Sequence, residues 1–252
     1  MNPFLKIENL SKAFGGVKAV NDLSLSLMPN KINAIIGPNG AGKTTLFNLI
    51  TGFIKPDSGR IFFEDCELTD LPIHQISRLG VKRTLQIKSV FNSMTVFENL
   101  WITLSAHRGN LNPFKKVASY QSEKERVEEV MEQLDLGRFR DTPAGILSYG
   151  DVALLEIGMA IITYPKMILF DEPVCGMSPQ ETEKVVSKIT SIADQTHVVI
   201  IEHDMDVVFK IADEITVLAF GEKLAAGTPR EIAENQKVKD IYFGTDEVLN
   251  ND

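Results

Sequence analysis

The sequence predicts an α/β protein with a mostly parallel sheet and a helical lobe inserted into it. Three observations carry that expectation. The runs "KMILFD" (166–171) and "HVVIIE" (197–202) are apolar enough to be buried on both faces, as parallel strands are. Between them, "SPQETEKVVSKITSIAD" has Ser178 as N-cap, Pro179 in the first turn and Glu181 three residues past the cap. That capping box opens a helix and completes a βαβ unit. From about Thr84 to Tyr164 strand runs stop and helical periodicity takes over, including the charged, amphipathic "QSEKERVEEVMEQLDL".

Other elements follow in turn. "LKIENL", "KINAIIG" and "GRIFFED" are short β-rich runs bounded by Gly, Pro, Asn or Asp, and read as strands. "SAHRGNLNPFKKVAS" (105–119) reads as a surface connection. "VALLEIGMAII", interrupted by Glu156, is too short to span a bilayer and reads as a core helix. No internal repeat is found.

Composition narrows the function. A chain of 252 residues with 44% apolar content buries a substantial core. With 34 acidic against 26 basic residues the net charge is -8, and no Lys/Arg run exceeds two, which argues against a nucleic-acid groove. Cys66 and Cys175 lack CxxC or Cys/His spacing, so they read as small core fillers or free thiols in a reducing compartment. "MNPFLKIENL" has no basic region followed by an apolar stretch, which predicts a cytoplasmic chain with at most a peripheral membrane role.

The motif that carries chemistry is "GPNGAGKTT": Gly37, Pro38, Asn39, Gly40, Ala41, Gly42, Lys43, Thr44 and Thr45. It satisfies GxxxxGK[ST] between a strand and the helix "TTLFNLITG". Glycines let backbone amides wrap phosphate oxygens, Lys43 supplies a point charge for the outer phosphates, and Thr44 can ligate magnesium. "MILFDEP" ends an apolar strand in Asp171, expected to hold the metal directly or through water, and Glu172, expected to orient or deprotonate the attacking water. "IIEHD" ends the next strand with His203, whose imidazole has reach for the γ-phosphate or that water. Finally, "ILSYGDVALLEIG" places Ser148, Tyr149, Gly150 and Asp151 at the mouth of an apolar helix, an anion-binding position that itself contains an acid.

With the P-loop, "LSYGD", "LFDEP" and "EHD" in this order, the sequence resembles the ATP-binding subunits of ABC transporters from about Phe4 to Gly244. Within them it looks like the branched-chain amino acid and urea uptake type, on "FGGVKAV", "GPNGAGKTTLFNLITGF", "VKRTLQ", "MTVFENL", "LEIG", "DEPVCGM", "IEHDM" and "GTPREIAENQKVKDIYFG". The resemblance implies a RecA-like P-loop core with an N-terminal antiparallel β subdomain. It implies one ATPase domain over 1–252, with the nucleotide-binding core in 1–85 and 165–252 and the helical lobe in 86–164. It makes Phe14 the aromatic platform for adenine with Val20 nearby, and Gln86 the glutamine that meets magnesium and relays motion to the membrane subunit. Residues Ser148 to Asp151 fall at the signature motif, usually LSGGQ, which closes over ATP held by a second ATPase subunit in a head-to-tail homodimer or heterodimer. The implied cofactors are ATP and magnesium. The implied partners are transmembrane permease subunits and, indirectly, an extracytoplasmic solute-binding protein, at the cytoplasmic face of the membrane. The implied work is ATP hydrolysis powering import of amino acids, urea or a similar small polar solute; a regulatory, weakly hydrolysing partner and a lipid or lipopolysaccharide exporter subunit are the alternatives.

Tyr149 replaces the first signature Gly, as the resemblance to the subfamily allows, and two further positions depart from the family pattern. Asp151 replaces the signature Gln. An acid in a helix's first turn stabilises it by about 0.3–1 kcal/mol, and Ser148 with Asp151 has capping-box spacing. A negative charge about 8 Å from a phosphate charge costs about 2 kcal/mol at an effective dielectric near 20, before metal screening. The following "VALL" offers no cation to offset it. Ser178 stands where the family often has Asp or Asn. Together these predict a competent P-loop and Glu172 beside a weak signature face, which suits a heterodimer.

Overall fold

The structure is a computed structural model that describes residues 2–29, 32–84, 90–108 and 120–243. In chain order the elements are β1 (Leu5–Phe14), β2 (Val17–Leu27), β3 (Ile32–Ile36), α1 (Lys43–Ile50), β4 (Ser58–Phe63), β5 (Cys66–Glu67), α2 (Ile73–Arg78) and β6 (Val81–Arg83). Then come α3 (Val96–Arg108), α4 (Gln121–Gln133), α5 (Tyr149–Ile161), β7 (Met167–Asp171), α6 (Pro179–Ala193), β8 (His197–Ile201), α7 (Met205–Ile211), β9 (Glu214–Ala219), β10 (Glu222–Gly227), α8 (Pro229–Glu234) and α9 (Gln236–Phe243). They form two compact units, Met1–Ser77 with Ala193–Asp252, and Arg78–Ile192.

The first unit holds an antiparallel sheet in the order β2-β1-β4-β5 and a second set of strands in the order β10-β9-β3-β8. In the antiparallel sheet side chains alternate: Leu23, Leu25 and Leu27 of β2 point inward between exposed neighbours. The run "LKIENL" continues as a strand to Phe14 through a bulge, with Asn9 at φ 48°. Gly59 of the neighbouring strand comes so close there that a Cβ would lie 2.4 Å from the Asn9 carbonyl oxygen. In the second set β3 runs parallel to both β8 and β9, while β10 closes the edge antiparallel to β9. All five residues of β3 are buried, as are Val198 to Ile201 of β8, so these strands lack alternation, as expected of a parallel core.

The second unit pairs β6 with β7 in parallel and carries the helices α3 to α6. α5 is buried along most of its length, which explains its nearly unbroken apolar sequence. Its C-terminal carbonyls are capped from α4: the buried Arg126 donates to the Ile161 carbonyl at 2.8 Å and the Ile162 carbonyl at 3.3 Å. The amphipathic run predicted at 121–136 forms α4, and the capping box at Ser178 opens α6 as expected.

Two expectations are corrected. The connection predicted over 105–119 begins later, because α3 extends through Arg108; residues 109–119 lie outside the described residues. Cys175 is exposed and so is no core filler, whereas Cys66 is half-buried; both are free thiols. Among the described residues no helix is long and apolar enough to cross a membrane.

Candidate functional site

β3 delivers the chain into the glycine-rich loop at the start of α1. Gly37 follows β3 so tightly that a Cβ would fall 2.2 Å from the Leu218 carbonyl oxygen of β9. Gly42 is the N-cap of α1 in the left-handed region at φ 98°, and a Cβ there would meet the Ala19 carbonyl oxygen at 2.2 Å. No side chain caps α1, and its first turn carries no acid. Its opening amides therefore point at whatever sits in the loop, with the positive end of the helix dipole behind them. Lys43 is buried, and its ammonium donates to the carbonyls of Gly37 at 2.6 Å and Pro38 at 3.0 Å. Asn39, Gly40 and Thr44 are exposed, Pro38 and Thr45 half-buried, and Ala41 buried.

The same unit carries three further predicted positions. Phe14 stands half exposed at the rim of the β1–β2 hairpin, with the Lys12 ammonium 5.6 Å from its ring centre. Val20 on β2 is buried. His203 is exposed just beyond the C-terminal end of β8, where the buried Glu202 carboxylate accepts its backbone amide at 3.0 Å. Gln86 lies outside the described residues.

In the second unit Asp171 ends β7 with its side chain fully buried. One carboxylate oxygen, Oδ2, accepts from Arg83 of β6 at 2.6 Å; the other, Oδ1, is buried without a hydrogen-bond partner among the described residues. A desolvated carboxylate oxygen left over in this way fits a hard divalent cation. Among the described residues no cluster of three or more His, Cys, Asp or Glu forms a metal cage. Glu172 follows in the left-handed region at φ 52°, a strained position for a glutamate. A cavity of about 190 Å³ brings Asp171 and Glu172 together with Tyr149 and Glu156 of α5 and with Cys175.

The mouth of α5 is closed by its own residues and by α6. Ser148 is the N-cap, accepting the Asp151 amide at 3.2 Å, and its hydroxyl donates to Asp151 Oδ2 at 2.8 Å. Lys184 of α6 donates to Asp151 Oδ1 at 3.2 Å. That corrects the expectation of an unaccompanied acid: the cation comes from α6, not from the residues that follow the motif. Glu181, one turn before Lys184, accepts the Gly150 amide through Oε1 at 3.1 Å. Its Oε2 accepts the Ser178 amide at 3.1 Å and the Ser178 hydroxyl at 2.8 Å. The bond from the Ser178 amide, then that from Gly150, hold the Glu181 carboxyl down to about 2. Gly150 has no room for a side chain, since a Cβ would lie 2.9 Å from Glu181 Cγ. Tyr149 projects outward, mostly exposed.

Sequence reasoning missed Arg83, Lys184 and Tyr242. Only spatial proximity marks the first two. Tyr242 of α9 meets the backbone of Gly37, and burial pushes its phenol up to about 12.

A glycine-rich turn between a buried parallel strand and an uncapped helix start, with a lysine folded over it, defines a P-loop nucleotide-binding protein. The ABC transporter family model matches residues 20–175. The chain is 40% identical over 250 residues to the high-affinity branched-chain amino acid transport ATP-binding protein LivG of Escherichia coli, covering 96% of this chain and 98% of that protein. It is 38% identical over 250 residues to the corresponding protein BraF of Pseudomonas aeruginosa, with the same coverage of 96% and 98%. Among solved structures, the ADP conformation of an ATP-binding cassette of an ABC transporter superposes with a TM-score of 0.83 at 34% identity, covering 97% of this chain and all of that one. The chain belongs to the ABC transporter family, as an ATP-hydrolysing cassette with the α/β architecture read from its sequence.

Proposed function

We propose that this cassette powers an importer of branched-chain amino acids or a similar small polar solute, by closing head to tail on a second ATPase subunit. The observation that carries the ATPase part is the start of α1, uncapped and free of acids, beneath the loop that Lys43 spans. Residues Gly37 to Thr45 bind the phosphates, and Phe14 offers its exposed ring to the adenine, with Val20 packed inside the same β subdomain. Glu172 orients the attacking water and takes its proton, and His203 contacts the γ-phosphate. Thr44, Gln86 and Asp171 would hold magnesium, for which the unpartnered Oδ1 of Asp171 is the supporting observation. Bound magnesium would neutralise charge on the outer phosphates. Ser148 to Asp151 face the nucleotide of the second subunit.

The solute assignment rests on the transport named for LivG and BraF. The cassette sits at the cytoplasmic face of a membrane on transmembrane permease subunits, which an extracytoplasmic solute-binding protein serves from the other side. The core 1–85 with 165–252 binds nucleotide, and the lobe 86–164 carries the signature.

Glu172→Gln tests the reading. Hydrolysis should fall about 10²- to 10⁴-fold with ATP still bound, as expected when a general base is removed. The trapped protein should double its mass in solution on adding magnesium-ATP. Turnover close to that of the parent would remove Glu172 from the chemistry. In the assembled complex, stimulation of ATPase activity by leucine but not urea would fix the solute class, and the reverse would change it.

A further inference from the structure

The acid at the signature is already spoken for. Asp151 is mostly buried, and both of its carboxylate oxygens are engaged, Oδ1 by the Lys184 ammonium at 3.2 Å and Oδ2 by the Ser148 hydroxyl at 2.8 Å. A hydroxyl has one proton to donate. While Ser148 gives its proton to Asp151, it has none for an anionic ligand at the helix mouth. The stronger the hold of Asp151 on that proton, the less useful the motif is to a phosphate.

Lys184 changes this balance. It stands on the face of α6 that also carries Glu181 and Lys188, at the i, i+3, i+7 spacing of one helical stripe. That stripe grips the lobe at both ends. Glu181 joins the Gly150 amide to Ser178, and Lys188 pairs with Asp135 at 2.6 Å and donates to the Gln133 carbonyl at 2.8 Å. Lys184, two-thirds buried between these anchors, is therefore held where its charge is spent on Asp151.

We infer that Lys184 is a positioning residue of the signature motif: by neutralising Asp151 it weakens the carboxylate's hold on the Ser148 proton, so that the hydroxyl can turn to an arriving phosphate, and it offsets the charge that would repel the γ-phosphate of the facing subunit. Asp151 and Lys184 then act as one unit standing in for the neutral Gln of the family. The inference rests on the proposed head-to-tail closure and replaces the weak signature face expected from sequence with a compensated one.

The test is a double-mutant cycle in the full-length Glu172→Gln protein, reading the magnesium-ATP concentration that half-converts monomer to dimer by light scattering. Lys184→Met keeps the apolar stem and removes the charge. It should raise that concentration about tenfold, below the thirtyfold of an unscreened charge at about 8 Å, because solvent reaches the ammonium. Lys184→Arg should restore it to within about twofold, and Lys184→Met on top of Asp151→Gln should shift it by less than about twofold, since the coupled partner is gone. An equal shift in both backgrounds would make Lys184 a packing residue and overturn the inference, as would no shift at all. Failure to dimerise in every background, including Asp151→Gln alone, would overturn the head-to-tail homodimer itself and the pair's role in it.

Discussion

Two helices in this molecule, α1 and α5, begin in opposite ways, and the proposed function gives each start an anion to meet. At α1 the N-cap is Gly42, the first three residues are Lys43, Thr44 and Thr45, and no side chain caps the helix. At α5 the N-cap is Ser148, the first three residues are Tyr149, Gly150 and Asp151, and serine hydroxyl, Asp151 and Glu181 take up the opening polar groups. The first carries no side-chain cap and no acid in its first turn, so its amides and dipole favour an anion. The second is closed by its own protein partners, and in the proposed closure it would meet a phosphate by exchanging them. A cassette that binds ATP on one face and closes over another subunit's ATP with the other has a use for both. Under the proposed function the α1 site would bind ATP alone, and the α5 site would engage only when a second subunit presents its nucleotide.

The largest effect should come from making α1 resemble α5. Thr45 occupies the helix position that Asp151 occupies in α5. A carboxylate about 4 Å from a phosphate charge costs about 4 kcal/mol at an effective dielectric near 20. Thr45→Asp should therefore weaken ATP binding by at least about a hundredfold while stabilising α1 by about 0.3–1 kcal/mol through its dipole. Titration with a fluorescent nucleotide and a thermal melt read the two parts separately. Retained affinity would mean that the acid-free start of α1 is not what binds phosphate.

Next in size is Gly150→Ala. The added methyl would press on Glu181, at 2.9 Å from Cγ and 3.0 Å from Cβ, and displace the carboxylate from the Gly150 amide. Overpacking of this kind costs about 1–2 kcal/mol, or about 3–6 °C in Tm for a chain of this size. Glu181→Ala in the same protein should return part of the loss, because the methyl then has space. An additive result in the double variant would mean that the two residues do not press on each other.

Asp151→Gln should act more weakly on stability, lowering it by about 0.3–1 kcal/mol as the first-turn acid is lost. A melt unchanged by it would show that the dipole and the Lys184 contact contribute nothing to the resting lobe.

The contrast between the two helix starts also marks how far the sequence is legible. The whole apparatus of α1 is local: glycines, lysine and the flanking apolar runs lie within a few residues, so their spacing alone places strand, loop and helix. The capping box at Ser178 and Glu181 is local in the same sense and forms as expected. What closes α5 is not local. Lys184 lies 33 positions from Asp151, Glu181 lies 31 from Gly150 and Arg83 lies 88 from Asp171. Each pair is created by packing, and no window of the sequence contains both members. Edge strands are hard to read for another reason. β10 borders the parallel set with mostly half-buried or exposed residues, so it has little apolar pattern, whereas the alternation of Leu23, Leu25 and Leu27 in β2 is plain.

The smallest effect is also the most specific to the satisfied helix. Glu181 is an acid whose folded-state pKa lies near 2, below its ordinary 4.5, because the amides of Ser178 and Gly150 donate to its ionised form. A depressed acid stabilises the fold in full above its unfolded pKa, and loses that contribution as pH falls towards the folded one. The difference in Tm between the parent and Glu181→Gln should thus be constant from pH 8 to about 5 and close between about pH 4.5 and 2. Other carboxylates titrate in that window, but they do so in both proteins and cancel in the difference. The same comparison made with Thr45→Gln, at the acid-free helix start, should show no such closing, since that position has no acid to protonate. A gap for Glu181→Gln that persisted to pH 2 would mean that the α5–α6 junction is held by packing alone, and that the two helix starts differ in shape but not in how their charges are satisfied.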